Sequence, residues 1–277
     1  EGEGKGDEIE EEDAVEWDMF WALADKGDDD EALALCIDRK GVVEKLVQEG
    51  TPHQIANSIA AKAILDQKAE HLARLVDCED ISEKIVMFGT TEDIALTIWS
   101  FAKLKHEAMV LPRMIDRQFV AKKIVENGDP WDVAITIWAL MVLGYAAKVI
   151  PVFIDSREVA EKLVINGSAN HIGMTILAFA KLGHDGKILA SCINRKDVAK
   201  KIVEDGDAED IANTIWAFAE LGYDAEVLVG FIDNENVAQK MLQEKSVFPW
   251  AIDKTVRAME TLGYDAKTFS AAIERAE

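Results

Sequence analysis

The sequence predicts an all-α fold: a right-handed α-solenoid superhelix of about six 39-residue repeats. Each repeat is a helix pair plus a short third helix, and atypical capping units close the two ends. Three observations predict it. The phrase Ile-Asp-Arg and its relatives begin at Ile37, Val76, Ile115, Ile154, Ile193 and Ile232, each exactly one period after the last. A glycine keeps the same register at Gly50, Gly89, Gly128, Gly167 and Gly206, with Lys245 in its place in the last unit. Apolar residues between these markers recur at helical spacing, and no segment alternates with the period of two that a half-buried strand requires.

The elements follow in order. Residues 1–16 carry nine acids against Lys5 and read as a solvated acidic tail. The first residue is Glu1, which suggests a processed chain or a fragment from which any targeting peptide has gone. Residues 17–277 form one repeat domain with units starting near 38, 77, 116, 155, 194 and 233. Trp21 precedes Trp99 by two whole periods, so a half-unit stands before the first complete one. In each unit Asp38, Asp77, Asp116, Asp155, Asn194 or Asp233 sits where the N-cap of the first helix belongs. The recurring glycine is the expected left-handed residue that ends that helix. The second helix opens on a cap of its own: Thr51 and Asp129 each precede a proline at the first helical position, and Ser168 and Asp207 supply the cap without one. The Leu-Gly-Tyr/His-Asp sequence at 182–185 and 221–224 closes it, and a short apolar helix such as 225–232 leads onward. In the last unit two extra residues enter near Ser246 to Trp250, and the atypical ends read as capping repeats. A single unit of this size cannot bury its own apolar faces, so neighbours must stack into one core.

The segments IALTIWSFA (94–102), VAITIWALM (133–141), IGMTILAFA (172–180) and IANTIWAFA (211–219) carry a further likeness. On a helix-pair unit of this length, the phrase resembles the octotricopeptide repeat of organellar proteins from algae and other protists. The resemblance runs from about Trp17 to the C-terminus. It implies an organellar location, plastid before mitochondrion, and a family in which many members bind single-stranded RNA in processing or translation.

Composition narrows the function. Thirty Lys and Arg against 52 Asp and Glu give a net charge of −22, the wrong sign for a free-standing nucleic-acid binder or for an anionic membrane surface. The acids are unevenly placed, with 15 acids and two bases in residues 1–33, so the repeat region itself is only mildly acidic. Cys36, Cys78 and Cys192 show no metal-ligand spacing and no disulfide framework, as befits a reducing compartment. The five histidines make no ligand set, and His106 and His184 occupy a turn position held elsewhere by tyrosine. No nucleophile elbow, phosphate-cradling loop or zinc-protease motif is present, so no catalytic residue, metal or cofactor is expected. No apolar run reaches the ~20 residues of a membrane span, and a soluble chain is expected.

Three repeated features are candidates for function. The tryptophans Trp21, Trp99, Trp138 and Trp216 stand among Ile and Phe at fixed helical register and are expected in the core rather than as stacking platforms. Lys45, Lys84, Lys123, Lys162, Lys201 and Lys240 occupy one position of the first helix and align in a stacked array. Such a row can track a phosphate backbone, but carboxylates four residues away favour ordinary i,i+4 ion pairs. Third, Leu96, Ser100, Ile135, Ala139, Val142, Met174 and Ala178 form a ridge on the second helices that turns apolar in the middle units. It reads either as a partner-binding strip or as packing between neighbouring helices. The expected function is a non-enzymatic scaffold or accessory subunit that binds protein subunits of an organellar assembly, with the acidic tail meeting a basic patch on a partner. The alternative is an organellar single-stranded RNA-binding protein using the lysine row.

Overall fold

A computed structural model of the protein describes residues 17–276, which are helical throughout, with turns and no strand among the described residues. Helices α1 (Trp17–Lys26) and α2 (Asp30–Ile37) lead into α3 (Val42–Glu49), α4 (Pro52–Ile64) and α5 (Glu70–Val76). Next come α6 (Glu79–Phe88), α7 (Thr91–Lys103) and α8 (Val110–Ile115), then α9 (Gln118–Asn127), α10 (Pro130–Val142) and α11 (Ile150–Ile154). These are followed by α12 (Arg157–Asn166), α13 (Ala169–Leu182) and α14 (Lys187–Ile193), then α15 (Lys196–Asp205), α16 (Ala208–Leu221) and α17 (Glu226–Ile232). The last described helices are α18 (Glu235–Gln243), α19 (Ala251–Thr261) and α20 (Lys267–Ala276). The acidic segment 1–16, expected to meet a basic partner, lies outside the described residues.

The sequence period is the structural period. Helices α6, α9, α12 and α15 start one period apart, and so do α7, α10, α13 and α16. The second helices α4, α7, α10, α13, α16 and α19 pack side by side in one row. A short helix folds back onto the first helix of its own unit, α8 on α6, α11 on α9, α14 on α12 and α17 on α15. This arrangement is compatible with a helical solenoid. One continuous core runs along it, built around Phe20, Phe101, Phe179 and Phe218, all fully buried, with Leu140 at the same position of the α10 unit. Each such side chain contributes about 1.5–3 kcal/mol by burial.

The second helices begin as the sequence predicts. Capping boxes close the N-termini of α4, α7, α10, α13 and α16 at Thr51, Thr90, Asp129, Ser168 and Asp207. The third residue of the box also ties neighbouring units together. Thr91 Oγ1 donates to Asp132 Oδ2 at 2.7 Å, and Asn170 Nδ2 donates to Asp210 Oδ1 at 2.9 Å. Burial pushes the Asp210 carboxyl up to about 6, with Asp207 and Glu209 adding repulsion. Asp210 therefore holds its proton more tightly in the folded chain than in the unfolded one. The stability it contributes is fully present below the ordinary carboxylate range and is lost as pH rises through about 6. We expect the gap in thermal midpoint between wild type and Asp210→Asn to change between pH 4 and pH 7 by an amount equivalent to ~2 kcal/mol in favour of the variant. Parallel curves for the two proteins over that range would refute it.

The residues expected to cap the first helices do different work. Asp38, Asp77, Asp116, Asp155, Asn194 and Asp233 do not hold those positions, where the N-caps are Gly41, Cys78, Arg117, Ser156, Arg195 and Asn234. The Asp77 carboxylate instead accepts from the backbone N–H groups of Met109, Val110 and Leu111, and Asp116 accepts from Lys148, Val149 and Ile150. Asp155 reaches Leu189, Asn194 reaches Leu228, and Asp233 reaches Phe269 in the same way. The side chain at the start of a unit caps the short helix that closes the same unit, because a short helix that packs on its neighbours leaves its first N–H groups without partners.

The glycines that end the first helices are also not left-handed. Gly50, Gly89, Gly128, Gly167 and Gly206 are extended, with φ of −64° at Gly50 and −78° at Gly206. Glycine is needed there because a Cβ would lie 2.4–2.6 Å from the carbonyl oxygen of the residue four back. Left-handed glycines recur instead after the second helices, at Gly144, Gly183, Gly222 and Gly263, where Asp66 and Lys105 adopt the same positive φ in the earlier units.

Candidate functional site: the second-helix face

The lysine row is built into the inter-unit joints. Lys84 Nζ donates to the carbonyl of Gly50 at 2.5 Å, Lys123 to Gly89 at 2.6 Å and Lys162 to Gly128 at 2.6 Å. Lys201 and Lys240 donate likewise to Gly167 and Gly206. Each carbonyl is at the C-terminal end of the preceding unit's first helix, where the partial negative charge of the helix dipole favours a cation. The expected i,i+4 partners are therefore not the rule in this row. Only Lys45 keeps one, 3.7 Å from Glu49, while it also lies 4.0 Å from the Trp17 ring centroid. Other ion pairs at that spacing in the first helices belong to neighbouring positions: Lys122 with Glu126 and Lys200 with Glu204, one residue before the row, and Arg157 with Glu161.

The predicted ridge divides. Ser100, Ile135, Ala139 and Ala178 are buried, whereas Leu96 and Met174 are partly exposed and Val142 is 45% exposed. The four buried residues cannot meet a partner in the folded chain, which corrects the partner-strip reading for them. The cause is the rotation of the helices. Small residues at 100, 139, 178 and 217 face the adjacent second helix and allow the row to pack closely.

The same rotation turns the tryptophans outward. Trp21, Trp99, Trp138 and Trp216 are partly exposed, while the fully buried aromatic is the phenylalanine two residues on, at 101 and 218. The core assignment for these indoles is corrected in part: Trp21, Trp138 and Trp216 pack against the buried core while leaving part of the ring in solvent, and Trp99 is likewise only partly buried. Leu96, Trp99, Trp138, Val142, Met174, Leu177 and Trp216 thus make one stripe along α7, α10, α13 and α16. Sequence reasoning placed this stripe one residue away, and the signal that could have found it is the repeated small residue just after each tryptophan position.

Ammonium groups stand over the indoles. Lys103 Nζ is 5.8 Å from the Trp99 ring centroid, and Lys181 Nζ is 4.1 Å from that of Trp216. Lys254 Nζ lies 4.8 Å from both Trp216 and Trp250. Two adjoining cavities open where α10, α13, α16 and α19 meet. One, of about 320 Å³, is lined by Lys181, Trp216, Lys254 and Arg257; the other, of about 530 Å³, by Met141, Leu177, Leu182 and the same two lysines.

His184 and His106 sit in the turns after α13 and α7. His184 Nε2 is 2.6 Å from the Ala147 carbonyl, and the ring of His106 packs 5.0 Å from that of Phe101, where burial lowers its pKa. Among the described residues no group of three or more His, Cys, Asp or Glu is placed to hold a metal ion, and no helix is long and apolar enough to cross a membrane. No family model matches the chain, and no curated protein shows significant similarity to it.

Proposed function

We propose that the chain is a non-enzymatic α-solenoid that binds a partner protein along the second-helix stripe, as a scaffold or accessory subunit of an organellar complex. One observation carries this reading: Leu96, Trp99, Trp138, Val142, Met174, Leu177 and Trp216 give consecutive helices a run of partly exposed apolar surface. Large aromatics with one solvent face are what protein interfaces use as anchors. The organellar setting, with plastid before mitochondrion, rests on the octotricopeptide-like phrase alone. A right-handed superhelix of about six units is the finer architecture we attach to it, and a basic patch on the partner is the proposed mate for the acidic segment 1–16.

The test is a pull-down from a native extract, with and without nuclease, read by mass spectrometry. A defined set of proteins that survives nuclease is expected, and the combined Val142→Glu and Met174→Glu variant should release it while keeping its helical signal. A folded double variant that retains its partners would refute the stripe as the binding face.

A second reading has one specific observation behind it. Lysines over tryptophans, as at Trp99 and Trp216, are the ingredients of a single-stranded RNA groove. The RNA alternative would have to use these side chains, because the ammonium groups of Lys84, Lys123, Lys162, Lys201 and Lys240 already donate to backbone carbonyls. It predicts binding of a uridine decamer at ~50 mM salt that weakens steeply as salt rises.

A further inference from the structure

We propose that the groove between α13, α16 and α19 is a recognition point for a single carboxylate carried beside an apolar group, on a peptide segment of the partner protein. This rests on the scaffold reading above and names the partner chemistry at one place on the stripe.

The two lysines come from the helices on either side of Trp216: Lys181 from α13 and Lys254 from α19. In a chain with 52 acids, both converge on one indole and neither has a carboxylate within ion-pair distance among the described residues. The Lys254 ammonium group donates to Asn213 Oδ1 at 2.6 Å, and Lys181 is exposed. Burial, followed by the charge of Lys181, holds Lys254 below the ordinary lysine range against the opposing pull of Glu209, so an incoming anion would relieve an unfavourable pairing.

The cavities supply the rest of the chemistry. Both lysines line both lobes, so they stand where the lobe rich in charged side chains meets the apolar one formed by Met141, Leu177 and Leu182. An apolar side chain placed in the second lobe puts an adjoining carboxylate at the ammonium groups. A longer anion fits less well. Glu220 and Asp253 line the charge-rich lobe, and the one arginine there, Arg257, is already paired with Asp253 at 3.0 Å. A phosphate backbone running past the lysines would meet these acids, whereas one carboxylate meets two ammonium groups and stops.

N-acetyl-leucine is the minimal probe, followed through the indole N–H resonances of Trp216 and Trp250 in the full chain. A saturable shift is expected at these two resonances, with Trp99 and Trp138 unmoved. N-acetyl-leucinamide, which has the same apolar group without the charge, should bind about tenfold more weakly. Lys181→Ala, at an exposed position, should lose the preference for the acid while leaving the rest of the spectrum in place, and Lys254→Met should do the same. Equal binding of acid and amide would overturn the proposal in favour of a merely apolar cavity. Inorganic phosphate or a uridine decamer matching N-acetyl-leucine would overturn it in favour of a general anion or nucleic-acid site. An unchanged acid preference in Lys181→Ala would overturn it outright. If the groove fails these tests while Val142→Glu with Met174→Glu still releases the partner, the scaffold reading stands without it.

Discussion

Replacing Asp38 with alanine is expected to loosen the N-terminal units by about 3 kcal/mol. Lys62 stands in α4 at the position that phenylalanine or leucine fills in the next four units, and it is 2% exposed. Its ammonium group donates to Asp38 Oδ1 at 2.5 Å and to Gln67 Oε1 at 3.0 Å. Removing the carboxylate leaves a buried cation with one neutral acceptor. Such a loss costs about 3–5 kcal/mol, and the low end applies because the Asp38 side chain is 62% exposed and water can reach its place. Hydrogen exchange reads the effect without assuming that a repeat array unfolds all at once. The α4 amides should exchange ~100-fold faster in Asp38→Ala, with α13 and α16 little changed. Adding Lys62→Met should restore most of the protection, because an apolar side chain of similar length removes the stranded charge. Protection in α4 that survives Asp38→Ala would show that this ion pair does not anchor the first unit.

The second large effect is expected at Asp116. Its carboxylate accepts three backbone N–H groups, from Lys148, Val149 and Ile150, and so opens the five-residue helix α11 from the start of the same unit. A helix that short has no stability of its own and depends on its cap and its packing. Hydrogen bonds to a charged acceptor contribute about 1.5–3 kcal/mol, so Asp116→Ala should weaken this joint by about 2 kcal/mol in all, allowing for replacement by water. Asp116→Asn keeps one acceptor oxygen and should fall between. The readout is exchange at amides 148–150 together with limited proteolysis of the 143–150 turn. Unaltered exchange at those amides would mean that packing alone holds α11.

The period was legible because it is written in residues with strong local meaning: in every unit but the last, a capping box before the second helix, a glycine after the first helix and aliphatic positions between. Elements inside a unit followed almost to the residue. What the sequence could not reveal was the direction of the bonds between distant helices. Asp116 looks like a local cap because it stands just before a helix, yet its acceptors serve the helix at the far end of its unit. Lys123 looks like half of an i,i+4 pair, yet it reaches back to Gly89. A long flexible side chain does not disclose its partner through spacing alone. The candidate face was misread by one residue of rotation, about 100° on a helix, which exchanges the tryptophans with the alanines beside them. Hydrophobicity favours the indole for the interior, but close approach of parallel helices favours the small side chain, and in this row close approach prevails.

The lysine and aspartate joints have a historical corollary. Lys84, Lys123 and Lys162 each reach back 34 residues into the preceding unit, and the aspartates at 77 and 116 reach forward by the same span to the end of their own, so the same plug and socket recur from unit to unit. A stretch of one full period, duplicated or excised in register, would meet matching chemistry on both sides. The array is thus of a kind that can change its number of units by simple genetic accident, while the indole face, which differs from unit to unit, is free to diverge.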